Sequence, residues 1–343
     1  MKRILTAFII GLSLTIGTAS SAMVKNFHKG FEAYQKGDYQ TALREWRSFA
    51  EQGDADAQYN LGLIYDNGKG VTEDNKAAVK WYRLAAEQGY VKAQYNLGLM
   101  YDNGEGVTED NKAAVKWYRL AADQGYVKAQ YNLGVIYDNG EGVTEGDKAA
   151  VKWYRVAAEQ GYAKAQNILG VMYDNGEGVT KDNKAAMKWY RLSAEQSYAK
   201  AQFNLGLMYD NGEGVTEDNK AAVKWYRLAA DQGYANAQNN LGVMWDYGEG
   251  VTEDDKEAVK WYRLAAEHRH AKAQSNLGWM YASGEGVIWD DVMAHMWGNI
   301  AVSIGGENRG MVRDFVARQM SAADISEAQK LARECARKNY KGC

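Results

Sequence analysis

The sequence predicts an all-α protein, a solenoid of helix–turn–helix repeats, and three observations carry that prediction. A block of 36 residues recurs in register: AQYNLGLIYDNG opening at Ala57 returns as AQYNLGLMYDNG at Ala93 and, progressively altered, at Ala129, Ala165, Ala201, Ala237 and Ala273. A tryptophan column keeps the same period, from Trp81 through Trp117, Trp153, Trp189, Trp225 and Trp261 to Trp297. Within each copy, two stretches of helical periodicity are separated by a turn, which reads Asp-Asn-Gly in the first five copies. A fixed period of this size means one supersecondary unit stacked on copies of itself. Such an array grows linearly without needing a second closed core.

The elements follow in chain order. Lys2 and Arg3 precede an apolar run from Ile4 to Ile16 and then small residues ending Ser20-Ser21-Ala22. This is the layout of an export leader with its cleavage site. Residues 1–22 are therefore expected to be removed, the mature chain to start near Met23, and no stable membrane anchor to remain; the alternative is that the segment stays uncleaved as an anchor. The expected location is outside the cytoplasm, periplasmic or secreted. Residues 23–54 read as a partial, capping repeat: Ala42 and Gly53 stay in phase with Ala78 and Gly89, while Trp46 falls in a column held elsewhere by tyrosine. Seven full repeats occupy 55–306.

One repeat shows the logic. Ala57, Leu61, Gly62 and Tyr65 share one face of a first helix. Asp66-Asn67-Gly68 and Gly70 end it, because Asn and Gly accept the left-handed backbone of a helix C-terminus. Thr72 and Asp74 are both good N-caps for the second helix, and the sequence does not choose between them. Ala78, Trp81, Tyr82 and Ala85 form the inner face of that helix. Its outer face carries Lys76, Lys80, Arg83 and Glu87, with an expected Arg83–Glu87 pair at i, i+4. Gly62 and its equivalents sit mid-helix, where glycine costs about 1 kcal/mol relative to alanine. Their return in every copy points to close packing, with the large Tyr or Trp of the paired helix filling the gap. Gly89 closes the unit. Ser197 and Arg269 replace that closing glycine, so those two turns are expected to be weaker by up to about 1 kcal/mol each. Residues 307–343 read as a C-terminal cap of about two helices, with Ser321-Ala322-Ala323-Asp324 opening one of them.

The pattern A-Q-x-N-L-G-x-x-Y-D-N-G-x-G-V followed by D-x-K-A-x-x-W-Y-R-x-A-A-x-Q-G resembles the Sel-one-like repeat (SLR), a relative of the tetratricopeptide repeat, over roughly Phe31 to Gly305. That resemblance implies a right-handed α/α superhelix acting as an adaptor scaffold, of the type that bacteria export. The chain departs from the family in having Thr72 and its equivalents where many members carry proline. The run from Met320 to Cys335 also resembles the tails of such proteins.

Charge bounds the partner. The chain has 41 Lys+Arg against 44 Asp+Glu; with three net positive charges after residue 306 and two at Lys2 and Arg3, residues 23–306 hold about −8. A body of that sign does not suit a nucleic acid, which takes clustered cations. A search for catalysis is mostly negative. His28, His268, His270 and His295 have no metal-ligating spacing, and the oxygen-rich Asp66-Asn67-Gly68 turn misses the calcium-loop spacing. Gly68-Lys69-Gly70 follows a helix rather than a strand, so it is not a nucleotide loop. Ser197-Tyr198-Ala199-Lys200 matches the S-x-x-K string of penicillin-interacting enzymes, yet one repeat earlier the same place reads Gly161-Tyr162-Ala163-Lys164. The expectation is no catalytic residue, no cofactor and no metal. An envelope enzyme acting on peptidoglycan or β-lactams is the alternative.

In tetratricopeptide-like superhelices the first helices line the concave groove. Carried over, this makes two columns candidate ligand contacts: Tyr59, Tyr95, Tyr131 and Phe203, and Asn60, Asn96, Asn132, Asn204, Asn240 and Asn276. The competing reading is that both columns pack between repeats. The expected partner is a protein or peptide held by a monomer. Cys335 and Cys343, the only cysteines, are expected to pair in an oxidising compartment; the alternative is one buried and one frayed thiol.

Overall fold

A computed structural model describes residues 28–141, 143, 146–305 and 310–343. The leader read at 1–22, the start of the partial repeat and part of the boundary before the cap lie outside the described residues. Two compact units divide the chain, Met1–Gln160 and Gly161–Cys343. No strand occurs among the described residues. No helix among them is long and apolar enough to cross a membrane.

The first unit holds α1 (28–35), α2 (Tyr39–Glu51), α3 (Ala55–Asp66), α4 (Asn75–Glu87), α5 (Val91–Asn103), α6 (Asn111–Asp123), α7 (Val127–Asn139) and α8 (Asp147–Glu159). Each odd-numbered helix packs on the even-numbered one that follows, and the pairs stack on their neighbours. The second unit continues the scheme with α9 (Ala163–Asn175), α10 (Asn183–Glu195), α11 (Ala199–Asn211), α12 (Asn219–Asp231), α13 (Ala235–Tyr247), α14 (Asp255–Glu267), α15 (Ala271–Ser283) and α16 (Asp291–Ser303). The cap follows as α17 (Met311–Val316) and α18 (Ala322–Arg337).

The mid-helix glycines explain the pairing. A Cβ built on Gly62 lies 2.4 Å from the Tyr82 ring, and on Gly98, Gly170, Gly206 and Gly242 it lies 2.6 Å from Tyr118, Tyr190, Tyr226 and Tyr262. Any side chain there would collide with a fully buried ring, so the backbone of one helix is the seat of the other helix's tyrosine. Tyrosine, not tryptophan, fills the gap. Trp81 through Trp225 are only partly buried, each with the preceding lysine over its ring, as at Lys80–Trp81 5.5 Å and Lys188–Trp189 5.4 Å.

The loop between paired helices is also closed by its own residues. Asp74 rather than Thr72 is the N-cap, accepting from Ala77 N at 3.0 Å, while its own amide returns to Tyr65 O at 2.9 Å. Gly104 takes the left-handed C-cap conformation at φ 70°. A Cβ on Gly106 would lie 2.3 Å from Asn75 O of the preceding repeat, so the second glycine of the pair serves stacking.

The expected Arg83–Glu87 pair does not form. Arg83 instead donates to the Tyr101 hydroxyl of the next repeat, and Arg47, Arg191 and Arg263 likewise reach Tyr65 at 2.7 Å, Tyr209 at 2.7 Å and Tyr281 at 3.0 Å. A solvated i, i+4 ion pair contributes only about 0.2–0.5 kcal/mol, so little is lost when the guanidinium turns to the neighbouring repeat.

The ends adapt the same interlock. In α1, Gly30 lies under Trp46, where a Cβ would meet the indole at 2.5 Å. Trp46 thus stands in for the tyrosine, and α1 enters four residues later than the period predicts because its loop is shorter. At the other end Gly298 occupies the tyrosine position, and the seat at Gly278 is filled by Val312 of α17. Gly298 itself admits the α17 backbone, since a Cβ there would lie 2.9 Å from Arg313 N. Ser321 and Asp324 form a reciprocal capping box on α18. Cys335, buried in α18, is joined to Cys343 in a disulfide with Cα atoms 5.7 Å apart. The tail is tied to the end of α14 by Gly342 N donating to Glu267 Oε1 at 3.2 Å, and to the turn after it by Arg269 over the Tyr340 ring at 5.5 Å.

Ser197 and Arg269 keep the left-handed backbone of the glycines they replace, at φ 63° and 62°. Ser197→Gly is expected to raise stability by about 0.5–1 kcal/mol through relief of that strain. Arg269→Gly loses a cation–ring contact of similar size and is expected to be nearly neutral. Urea midpoints of the two variants, compared with the parent chain, check both values.

Candidate functional site

The tyrosine that seats on the glycine also organises the first-helix face. Its hydroxyl donates to the aspartate that ends the first helix: Tyr82 to Asp66 at 2.9 Å, Tyr118 to Asp102 at 3.0 Å, Tyr226 to Asp210 at 2.9 Å and Tyr262 to Asp246 at 3.0 Å. The asparagine of the next repeat faces the same hydroxyl, Asn96 at Tyr82, Asn132 at Tyr118, Asn240 at Tyr226 and Asn276 at Tyr262. Burial, reinforced by the neighbouring carboxylate, holds all four phenols far above their usual range. Burial likewise raises Asp102 and Asp246, against the lowering effect of the tyrosine hydroxyl.

The aromatic column is half-buried and packed. Tyr59 lies 5.9 Å from Tyr82 and 5.0 Å from Tyr90, Tyr95 lies 5.8 Å from Tyr118 and 5.0 Å from Tyr126, and Tyr131 lies 5.8 Å from Tyr154. Phe203 repeats the motif with Tyr226 at 5.8 Å and Tyr234 at 5.3 Å. The asparagines are half-buried as well. Where Asn167 and Asn239 replace the aromatic they are buried and accept from Asn204 at 3.1 Å and Asn276 at 3.3 Å. Packing between repeats therefore claims much of both columns. Asn96, Asn132, Asn204, Asn240 and Asn276 each have a neighbouring side chain as partner.

Sequence reasoning missed a third column. The buried Gln58, Gln94, Gln130, Gln202 and Gln238 each donate to the penultimate carbonyl of the helix before, as Gln94 does to Ala86 O at 3.1 Å. This satisfies one of the orphan acceptors of a helix end. A second glutamine then donates to the first, Gln124 to Gln94 at 2.8 Å and Gln232 to Gln202 at 2.7 Å. The chain is broken at Gln238 and Gln274, whose Oε1 atoms lack a partner, because His268 and Ile304 stand where the donor glutamine belongs.

The other chemistry candidates resolve structurally. His270 is a helix N-cap, its Nδ1 accepting from Ala273 N at 3.2 Å. His295 is buried, which lowers its pKa, and pairs with Asn299 at 2.9 Å. No cluster able to hold a metal occurs among the described residues. Ser197 stands at an exposed turn in the backbone conformation of the glycine it replaces.

In the second unit, two depressions flank α13. Asn236, Asn239, Asn240, Val243, Asp246 and Tyr247 follow at helical spacing, so they form one stripe. A depression of about 450 Å³ opens beside its N-terminal half, between Phe203 of α11 and His270 at the start of α15. It exists because Asn239 and His270 occupy places that hold two stacked aromatics elsewhere, as in Tyr59 and Tyr90. A second depression of about 460 Å³ opens beside the C-terminal half, against Asn276 and Trp279 of α15. Of the sequence candidates, Phe203, Asn240 and Asn276 line these openings. Tyr59, Asn60, Tyr95, Asn96, Tyr131, Asn132 and Asn204 do not line either.

Tandem helix pairs with a patterned first-helix face define a tetratricopeptide-like α/α repeat protein. The Sel1 repeat model matches residues 55–90, 91–126, 127–162, 163–198, 199–234, 235–270 and 271–305. The chain belongs to the Sel1 repeat family. Repeats of this family generally mediate protein–protein interaction. Among solved structures it is similar to a Sel1 repeat protein from Oxalobacter formigenes, with 33% identity, a TM-score of 0.70, and 88% of this chain and 90% of that one covered. It is also similar to a protective antigen of uropathogenic Escherichia coli strains with an SLR fold, at 30% identity and a TM-score of 0.47, covering 94% and 86% of the two chains. An immunity protein from Pseudomonas aeruginosa matches at 24% identity and a TM-score of 0.39, with 62% and 81% covered. No curated protein matches.

The raised phenols set an alkaline limit. Folding binds the tyrosine proton more tightly than the unfolded chain does, so their contribution is complete below about pH 10 and is lost as pH rises above it. Cooperative unfolding is expected to accompany tyrosine ionisation above that pH. Simultaneous 295 nm absorbance and helical circular dichroism check this, and Tyr118→Phe should shift the loss of helix to higher pH.

Proposed function

We propose that the chain is an exported, non-enzymatic scaffold that, as a monomer, holds a peptide segment of another protein along the first-helix face of its second unit. The observation that carries this reading is the stripe on α13. There both members of the repeat's aromatic pair are replaced, by Asn239 and His270, and a depression opens beside them. The family's general role as an interaction module supports a protein partner. The leader-like segment at 1–22 supports export, and the net negative body argues against nucleic acid. An extended segment suits such a face because three successive first helices, α11, α13 and α15, border one opening.

Photo-crosslinking tests the reading. A photoreactive residue at exposed Asn236 is expected to yield a discrete adduct with one partner in the native cell envelope. The same residue at Leu228, on the second-helix surface, is expected to yield none. Adducts of equal yield from both positions, or from neither, contradict the groove. A mature N-terminus near Met23 in the envelope fraction is the accompanying check on export.

A further inference from the structure

The two depressions along α13 are sorted by charge. The one beside the N-terminal half is bordered by Arg269, His270 and Lys272 with three asparagines, and has no carboxylate in its lining. The one beside the C-terminal half is bordered by Asp246, Glu253, Asp255 and Glu285, and has no basic group in its lining. Its wall is aromatic: Tyr247 is 70% exposed and Trp279 is 36% exposed. Neither aromatic belongs to the repeat pattern. The position of Trp279 is Leu or Val in every other repeat, and that of Tyr247 is Asn in five others. Asp255 carries a carboxylate where Asn75, Asn111, Asn183 and Asn219 carry an amide, as Asp147 and Asp291 also do. Aromatic faces beside grouped carboxylates take a cation, through ring attraction and charge together. The carboxylates act on one another as well: Asp246 is raised first by burial and then by Glu285, Asp255 and Glu253.

Resting on the peptide-groove reading, we propose that α13 selects a segment with an acidic residue and a lysine or arginine three to four positions apart. The acidic group lies toward Arg269 and Lys272, and the basic side chain lies over Trp279 and Tyr247. The spacing follows from the helix. Asn239 and Asp246 or Tyr247 are seven or eight residues apart on α13, roughly 11–12 Å at ~1.5 Å per residue. An extended chain covers that length in three to four residues at ~3.3 Å each. Surface charge of this kind sets register and selectivity more than raw affinity.

Selection from a displayed library of random twelve-residue peptides on the full chain tests this, followed by titration of the selected peptides at low and high salt. The expected peptides carry the charge pair at that spacing. Replacing their basic residue by alanine should weaken binding at least tenfold, with the difference shrinking in high salt. The double variant Glu253→Lys, Glu285→Lys should lose the same preference. Its folding is protected by precedent, because Lys181 and Lys69 occupy those positions in other repeats. Selected peptides that bind without a basic residue, or that bind the double variant unchanged, overturn the charge code and leave the groove standing. A selection that enriches nothing removes the groove, and the code with it.

Discussion

A glycine in the middle of one helix, seated under the tyrosine ring of the next, is the contact on which the rest depends. It brings the paired helices closer than any side chain allows and buries the ring completely. It also fixes where the hydroxyl must go. That hydroxyl sits in a low-dielectric site where an unpaired polar group costs about 1–3 kcal/mol, and it is met by the aspartate ending the first helix and faced by an asparagine of the next repeat. One packing choice therefore generates the Asp, Tyr and Asn columns together. The columns are bound to one another before any ligand arrives.

Stacking between repeats uses a different set of groups. The second loop glycine lies against the preceding helix N-terminus, a buried glutamine caps the preceding helix C-terminus, and an arginine crosses to the next tyrosine hydroxyl. These contacts use backbone acceptors and short side chains, so they tolerate little drift. The surface that is free to drift is the first-helix face beyond them. There the chain changes most in its second unit, at Asn239, Tyr247, His270 and Trp279, and there the openings lie.

Helix order, loop limits and the glycine seats were legible in the sequence because a repeated cost needs a repeated cause: glycine at 62, 98, 134 and onward is explained only by close approach. The identity of its partner was not legible, since Tyr82 and the neighbouring Trp81 share one helical face and only the coordinates separate them. Thr72 and Asp74 are equal as caps by residue type, and the structure separates them because the Asp74 carboxylate accepts from Ala77 N. The two candidate columns follow from the groove of tetratricopeptide-like superhelices, with packing between repeats as the competing reading, and the structure shows them half-buried and in contact with neighbouring rings; periodicity marks a face without saying what already covers it. The better signal was the break in the pattern. Asn239 and His270 together remove an aromatic pair, and Tyr247 and Trp279 add two aromatics to positions of Asn and Leu or Val.

The central claim is that the glycine exists for the tyrosine, and a double-mutant cycle at Gly170 and Tyr190 tests it directly. A Cβ on Gly170 lies 2.6 Å from the Tyr190 ring. With Tyr190 present, Gly170→Ala is expected to cost more than about 2 kcal/mol, as overpacking does. In the Tyr190→Ala background the same change is expected to stabilise by up to about 1 kcal/mol, the helix preference of alanine over glycine. A cost that is the same in both backgrounds would contradict the account.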